Sequence, residues 1–140
     1  MRLIYPAADA DVPVRALTPT QEELDAHELS PPNTKDAYWL TNYGKPGAGS
    51  TDTTYIVSHR WIEGDAPFNR IGDRARAGDR LRIQTTRGDL DFEVTSVKTY
   101  NKDALAGSPV WDIHPGWLVL ITCDLKDPWG KNTVVTARPR

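Results

Sequence analysis

Cysteine is nearly absent from this chain: Cys123 is the single one in 140 residues. A lone thiol excludes an internal disulfide, a CxxC redox pair and a multi-thiolate zinc site. Long apolar runs are missing too. Nothing approaches the ~20 apolar residues of a membrane-spanning helix. The opening Met1-Arg2-Leu3-Ile4-Tyr5-Pro6 has no hydrophobic segment of a signal peptide. There is no surplus of charge of either sign: the formal net charge is −2, with acidic and basic residues interspersed. That patterning excludes an extended basic face for nucleic acid. Asp124, Asp127 and Glu63 lack the spacing of a calcium loop, so no metal and no cofactor is expected. Internal repeats and low-complexity linkers are absent as well, and residues 1–140 are expected to form a single domain.

What is present is β-patterning. Arg80-Leu81-Arg82-Ile83-Gln84-Thr85 and Leu90-Asp91-Phe92-Glu93-Val94-Thr95-Ser96-Val97 alternate polar and apolar residues, as half-buried strands do. Thr86-Arg87-Gly88-Asp89 between them predicts a hairpin turn. Thr53–Ser58, Trp117–Thr122 and Thr133–Ala137 are β-branched or apolar on both faces and predict buried strands. Val12-Pro13-Val14 and Tyr38-Trp39-Leu40 are shorter candidates. Helical signal is thin: Thr20 and Glu23 fit a capping box whose helix stops at Pro31-Pro32, and Ala66–Ile71 begins another short turn of helix. Eleven Pro and ten Gly suit many turns between short strands. The expected class is a mostly-β barrel or sandwich of about seven or eight strands.

The chemistry centres on Cys123. It sits where the apolar run ending at Ile121 turns polar at Thr122-Cys123-Asp124. A free cysteine packs well as an inert hydrophobe, but side chains at strand ends also project into clefts where loops meet, and there a thiolate is a nucleophile. A cysteine nucleophile needs a proton partner, most often histidine. His27 falls in a polar helical stretch and His114 in a turn before the cysteine strand. His59 directly follows Tyr55-Ile56-Val57-Ser58 and so repeats the situation of Cys123: a buried strand ending in a chemically capable side chain. If the two strands are neighbours of the same polarity, thiol and imidazole share one cleft.

Several blocks, in order, carry a resemblance to a known family. Tyr55-Ile56-Val57-Ser58-His59 resembles an apolar strand ending in Gly-His, with Ser58 in place of the Gly. Gly78-Asp79-Arg80-Leu81 resembles a Gly-Asp entry into the next strand, and Leu120-Ile121-Thr122-Cys123 a Leu-x-Thr-Cys signature. Val134-Val135-Thr136-Ala137 is similar to a last strand, and Leu3-Ile4-Tyr5-Pro6-Ala7 to a first one. The family is that of the sortases, the cysteine transpeptidases of Gram-positive cell walls. Ala37-Tyr38-Trp39-Leu40 with the Gly-rich loop after it most resembles actinobacterial sortases, especially class F. The resemblance implies an eight-stranded β-barrel with one or two short helices. It implies Cys123 as nucleophile, His59 as general acid and base, and Thr122 beside the thiol. The substrate would be an LPXTG-like sorting-signal peptide, cleaved after Thr, and the acyl acceptor an amine such as a cell-wall precursor. Trp61 and Trp129, nearest in sequence to the two candidates, could wall the groove. The resemblance also implies an enzyme on the extracellular face of the membrane, held by an anchor outside this chain.

One departure stands out. The family places an arginine on the strand after the cysteine, to bind substrate and stabilise the oxyanion, and here that position is Asn132. Asn offers a neutral hydrogen bond where Arg offers a charged, two-pronged donor. The candidates to fill the role are Asn132 itself, Lys131 by a shift of register, or an arginine from elsewhere (Arg60, Arg74 or Arg138). Arg138, roughly 20 Å further along an extended strand, is the least suited of these. The remaining alternatives are a degenerate sortase-like module that binds peptides without cleaving them, and an unrelated barrel whose thiol is inert.

Overall fold

The computed structural model describes residues 1–26, 31–47, 49–61, 64–123 and 131–140, with Cys123 described by its backbone. His27, Glu63, Asp124, Asp127 and Trp129 lie outside the described residues. Eight strands form the fold: β1 (Arg2–Tyr5), β2 (Ala10–Leu17), β3 (Ala37–Leu40), β4 (Thr54–Val57), β5 (Arg80–Thr85), β6 (Gly88–Asn101), β7 (Leu118–Cys123) and β8 (Lys131–Pro139). Among the described residues three short helices accompany them: α1 (Gln21–Ala26), α2 (Pro67–Arg74) and α3 (Lys102–Leu105). The strands close into a barrel in the order β1-β2-β3-β4-β7-β8-β6-β5. Two pairs, β2 with β3 and β4 with β7, are parallel, and the rest are antiparallel. No described helix is long and apolar enough to cross a membrane.

Local chemistry explains most of these elements. The Thr20 hydroxyl accepts from the Glu23 N–H at 3.2 Å and the Glu23 carboxylate accepts from the Thr20 N–H at 3.1 Å, so the capping box of α1 is closed. Pro67 stands in the first turn of α2, where its missing N–H costs nothing. Gly88 opens β6 at φ +128°, a backbone that favours glycine, and the β5–β6 hairpin turns there. β6 runs past Val97 to Asn101 because β8 continues opposite it to Lys131. α3 is a single turn, too short to leave a 3.6-residue pattern in the sequence.

The core has two layers. Leu3, Tyr5, Val12, Ile56, Leu118, Leu120 and Val135 fill the barrel, joined at one end by Phe68 and Ile71 of α2. On the outside of the wall, Tyr38, Tyr55, Val57, Val119, Ile121 and Val134 are roofed by Leu105, Val110 and Trp111 of the β6–β7 connector. Tyr55 donates to the Val110 carbonyl at 2.6 Å and the Trp111 indole to the Leu105 carbonyl at 2.9 Å, which fastens the roof. This second layer is why β4 and β7 are apolar on both faces. Burying each such side chain contributes about 1.5–3 kcal/mol, so the two strands that end at His59 and Cys123 are the most deeply held in the barrel.

Candidate active site

β4 and β7 lie side by side and point the same way, with Thr54 opposite Leu118 and Val57 opposite Ile121. The Ser58 N–H continues the ladder by donating to the Ile121 carbonyl at 3.3 Å. Two residues beyond the last pair, the register sets His59 level with Cys123. β8 closes the other flank, with Cys123 directly opposite Asn132 and Thr122 opposite Thr133. Cys123 therefore ends its strand between His59 on one side and Asn132 on the other.

The chain leaving β4 is held at three points. The Ser58 hydroxyl donates to the Asp36 carbonyl at 2.9 Å. The half-buried His59 ring bonds through Nε2 to the Pro31 carbonyl at 2.8 Å. A carbonyl only accepts, so Nε2 carries the proton and Nδ1 is left as the nitrogen through which a proton can be exchanged. The third point is Asn69 on α2. Its side-chain amide accepts from the Trp61 N–H and donates to the Trp61 carbonyl, both at 2.9 Å. It also donates to the Gly64 carbonyl at 3.3 Å. Asn69 is buried, so water cannot replace it. Asn69→Ala strips both partners from the Trp61 backbone and is expected to cost about 1–3 kcal/mol. The check is a lowered midpoint in urea unfolding; an unchanged midpoint would contradict the clamp.

Thr122, expected beside the thiol, precedes Cys123 at the end of β7. It is 1% exposed and its hydroxyl is buried. Trp61 is half-buried at the exit from β4, with the Lys35 ammonium 5.3 Å from its ring centroid. His114 stands before β7, at the end opposite Cys123, with its ring against Trp117; the structure separates it from the site.

The cations sort as clearly. Lys131 and Arg74 are exposed. Arg138 bonds the Glu93 carboxylate at 2.8 Å, near the far end of β8. Arg60 alone among these is buried, its side chain 2% exposed. Asp73 on α2 stands 3.5 Å from its Nη2, yet Nε and Nη2 make no hydrogen bond among the described residues. Space for the guanidinium comes from Gly72: a β-carbon there would lie 2.7 Å from Arg60 Nη1 and 3.5 Å from Thr122 Cγ2. Sequence reasoning missed Asn69, Gly72 and the Pro31 carbonyl, whose parts arise from packing between segments far apart in the chain.

These observations define a closed β-barrel in which a cysteine-bearing and a histidine-bearing strand end side by side at one rim. A Sortase domain model matches residues 3–140, and the chain belongs to the sortase family. Among solved structures it is similar to Streptococcus agalactiae sortase C1, solved in complex with MTSET, at 20% identity and a TM-score of 0.73. That match covers 99% of this chain and 68% of the other. It is also similar to sortase A of Corynebacterium diphtheriae, at 19% identity and a TM-score of 0.72, over 99% of this chain and 59% of that one. A Clostridium perfringens sortase D5 transpeptidase matches at 15% identity and a TM-score of 0.72, covering 99% and 77% respectively. The chain spans about two thirds of the length of the sortase C1 chains it resembles. At these identities the likeness is one of fold. No curated protein matches the chain.

Proposed function

We propose that the protein is a cysteine transpeptidase that cleaves an LPXTG-like sorting signal after Thr and passes the acyl group to an amine. The observation that carries this reading is the parallel β4–β7 register, which brings His59 level with Cys123. Cys123, its proton having passed to Nδ1 of His59, attacks as thiolate the carbonyl carbon of the Thr residue and forms a tetrahedral intermediate. The C–N bond then breaks, and His59 gives its Nδ1 proton to the departing amine. A thioester remains on Cys123. An acceptor amine attacks that thioester, His59 takes a proton from it, and the thiolate leaves. A covalent nucleophile divides one difficult amide exchange into two easier steps, and His59 serves first as acid, then as base. The Pro31 carbonyl suits this role, because it binds the ring in both protonation states and leaves Nδ1 for the reaction.

Trp61 and, outside the described residues, Trp129 are proposed to wall the peptide groove. The acceptor is proposed to be a cell-wall precursor amine. The site is proposed to lie on the extracellular face of the membrane, in a longer protein carrying an anchor. The actinobacterial class F subtype rests on the Ala37–Leu40 block and the Gly-rich loop after it. Incubation with an LPXTG-type peptide and hydroxylamine is expected to release the Thr hydroxamate. Failure to form it under conditions in which the protein stays folded would overturn the transpeptidase reading.

A second reading has one observation in its favour: Asn132, not arginine, faces Cys123 across β8. On that reading the domain binds sorting peptides without cleaving them. Peptide binding with no hydroxamate would select it.

A further inference from the structure

We propose that Arg60, one residue beyond His59, is the cation of this site. It acts from beneath the end of β7 and supplies the positive field that Asn132 on β8 does not. The proposal rests on the reading of Cys123 as nucleophile.

Three observations carry it. The Arg60 side chain is almost wholly buried, and its only carboxylate partner among the described residues, Asp73, stands at 3.5 Å and is itself 43% exposed. Two buried guanidinium nitrogens, Nε and Nη2, have no hydrogen-bond partner among the described residues. Burying a charge with donors unmet is costly, and a native fold that keeps such a group calls for an explanation beyond packing. Second, α2 is shaped for it. Gly72 sits inside an eight-residue helix, where glycine is disfavoured relative to alanine, and the space it leaves is filled by Arg60 Nη1. Third, the guanidinium comes to the residue that precedes Cys123: Nη1 and the Thr122 side chain converge on the same point above Gly72. A guanidinium keeps its charge at any working pH, and a neighbouring cation favours the thiolate form of a cysteine.

Among the described residues, the other charged or titratable groups around this rim are His59, Asp73 on α2, Lys35 beside Trp61, and Lys131 at the start of β8. None of them is substituted in the variants below, and of these groups only Asp73 loses a partner when Arg60 is changed. Arg60 is not placed in contact with the acyl group. It is a positioning residue for the thiolate and, through the same field, for the oxyanion that follows.

The test uses the single cysteine of the chain. The rate of alkylation by iodoacetamide, followed by intact mass across pH, reports the ionisation of Cys123 alone. In the wild-type protein the midpoint is expected below the ~8.5 of an ordinary thiol. Arg60→Met is expected to raise it toward that value, and alkylation at neutral pH should slow about tenfold for every pH unit by which the midpoint rises. Arg60→Lys is expected to restore part of the difference. Gly72→Ala displaces the guanidinium without removing it and improves helix propensity, so it decides the matter if Arg60→Met fails to fold; a smaller rise is expected there. A role confined to holding α2 would lower the melting temperature and leave the midpoint in place. A low wild-type midpoint that neither Arg60→Met nor Gly72→Ala moves would overturn the proposal and leave the nucleophile reading standing. A wild-type midpoint at the ordinary value would also overturn the proposal, and the nucleophile reading would then rest on the hydroxamate assay, since even a small thiolate fraction suffices for a cysteine nucleophile.

Discussion

Cys123→Ala is expected to reduce hydroxamate formation to the level seen without enzyme, a loss on the order of 10⁴-fold or more where a covalent nucleophile is removed. The size follows from the mechanism: alanine cannot form the thioester, and no second thiol exists to replace it. The loss is expected in kcat, with peptide binding retained. The strand that carries residue 123 is fixed by its backbone ladders to β4 and β8 and by Leu118, Val119, Leu120 and Ile121, all buried. Circular dichroism and the urea midpoint should therefore stay near those of the wild type. A variant that keeps a measurable fraction of wild-type transfer would place the chemistry elsewhere.

His59→Ala is the second large effect. Removing a positioned general acid and base typically costs about 10²–10⁴-fold, and the loss should fall on both halves of the reaction. Cleavage loses the proton donor for the departing amine, and transfer loses the acceptor for the proton of the incoming one. Two further readouts separate this from simple misfolding. Added imidazole should restore part of the activity, because the ring's place at the rim is vacated. One limb of the pH–rate profile should disappear. The fold should persist, since Ser58 remains bonded to Asp36 and Ile121 and Trp61 remains bonded to Asn69. Activity close to wild type in His59→Ala would remove histidine from the mechanism, whatever the β4–β7 register.

Much of this was legible in the sequence because β-structure writes a two-residue period. The β5–β6 hairpin, the buried strands β4 and β7, and the capping box of α1 all follow from local pattern. The closed eight-stranded barrel came from the resemblance to sortases, and the matching family model and fold agree with it. His59 and Cys123 could be singled out since each ends an apolar run, but only the sheet order makes those runs neighbours. α3 went unseen because one turn has no periodicity to detect. The polar end of β6, Lys98–Asn101, went unseen because its residues are mostly exposed and its length is set by β8. The supports of the site were hidden for a different reason. Asn69 holds Trp61 from eight residues away and Pro31 meets His59 across 28; neither contact leaves a local signal. Arg60 was one of several candidate cations in the sequence, and burial is what sets it apart from Lys131, Arg74 and Arg138.

The measurement closest to the central claim is the intact mass of the enzyme after brief exposure to an LPXTG-type peptide with no acceptor amine. The wild-type protein is expected to gain the mass of the acyl fragment ending in Thr. The adduct should map to Cys123, disappear on addition of hydroxylamine, and never form in Cys123→Ala. A peptide cleaved with no adduct on Cys123, or an adduct that survives in Cys123→Ala, would contradict it.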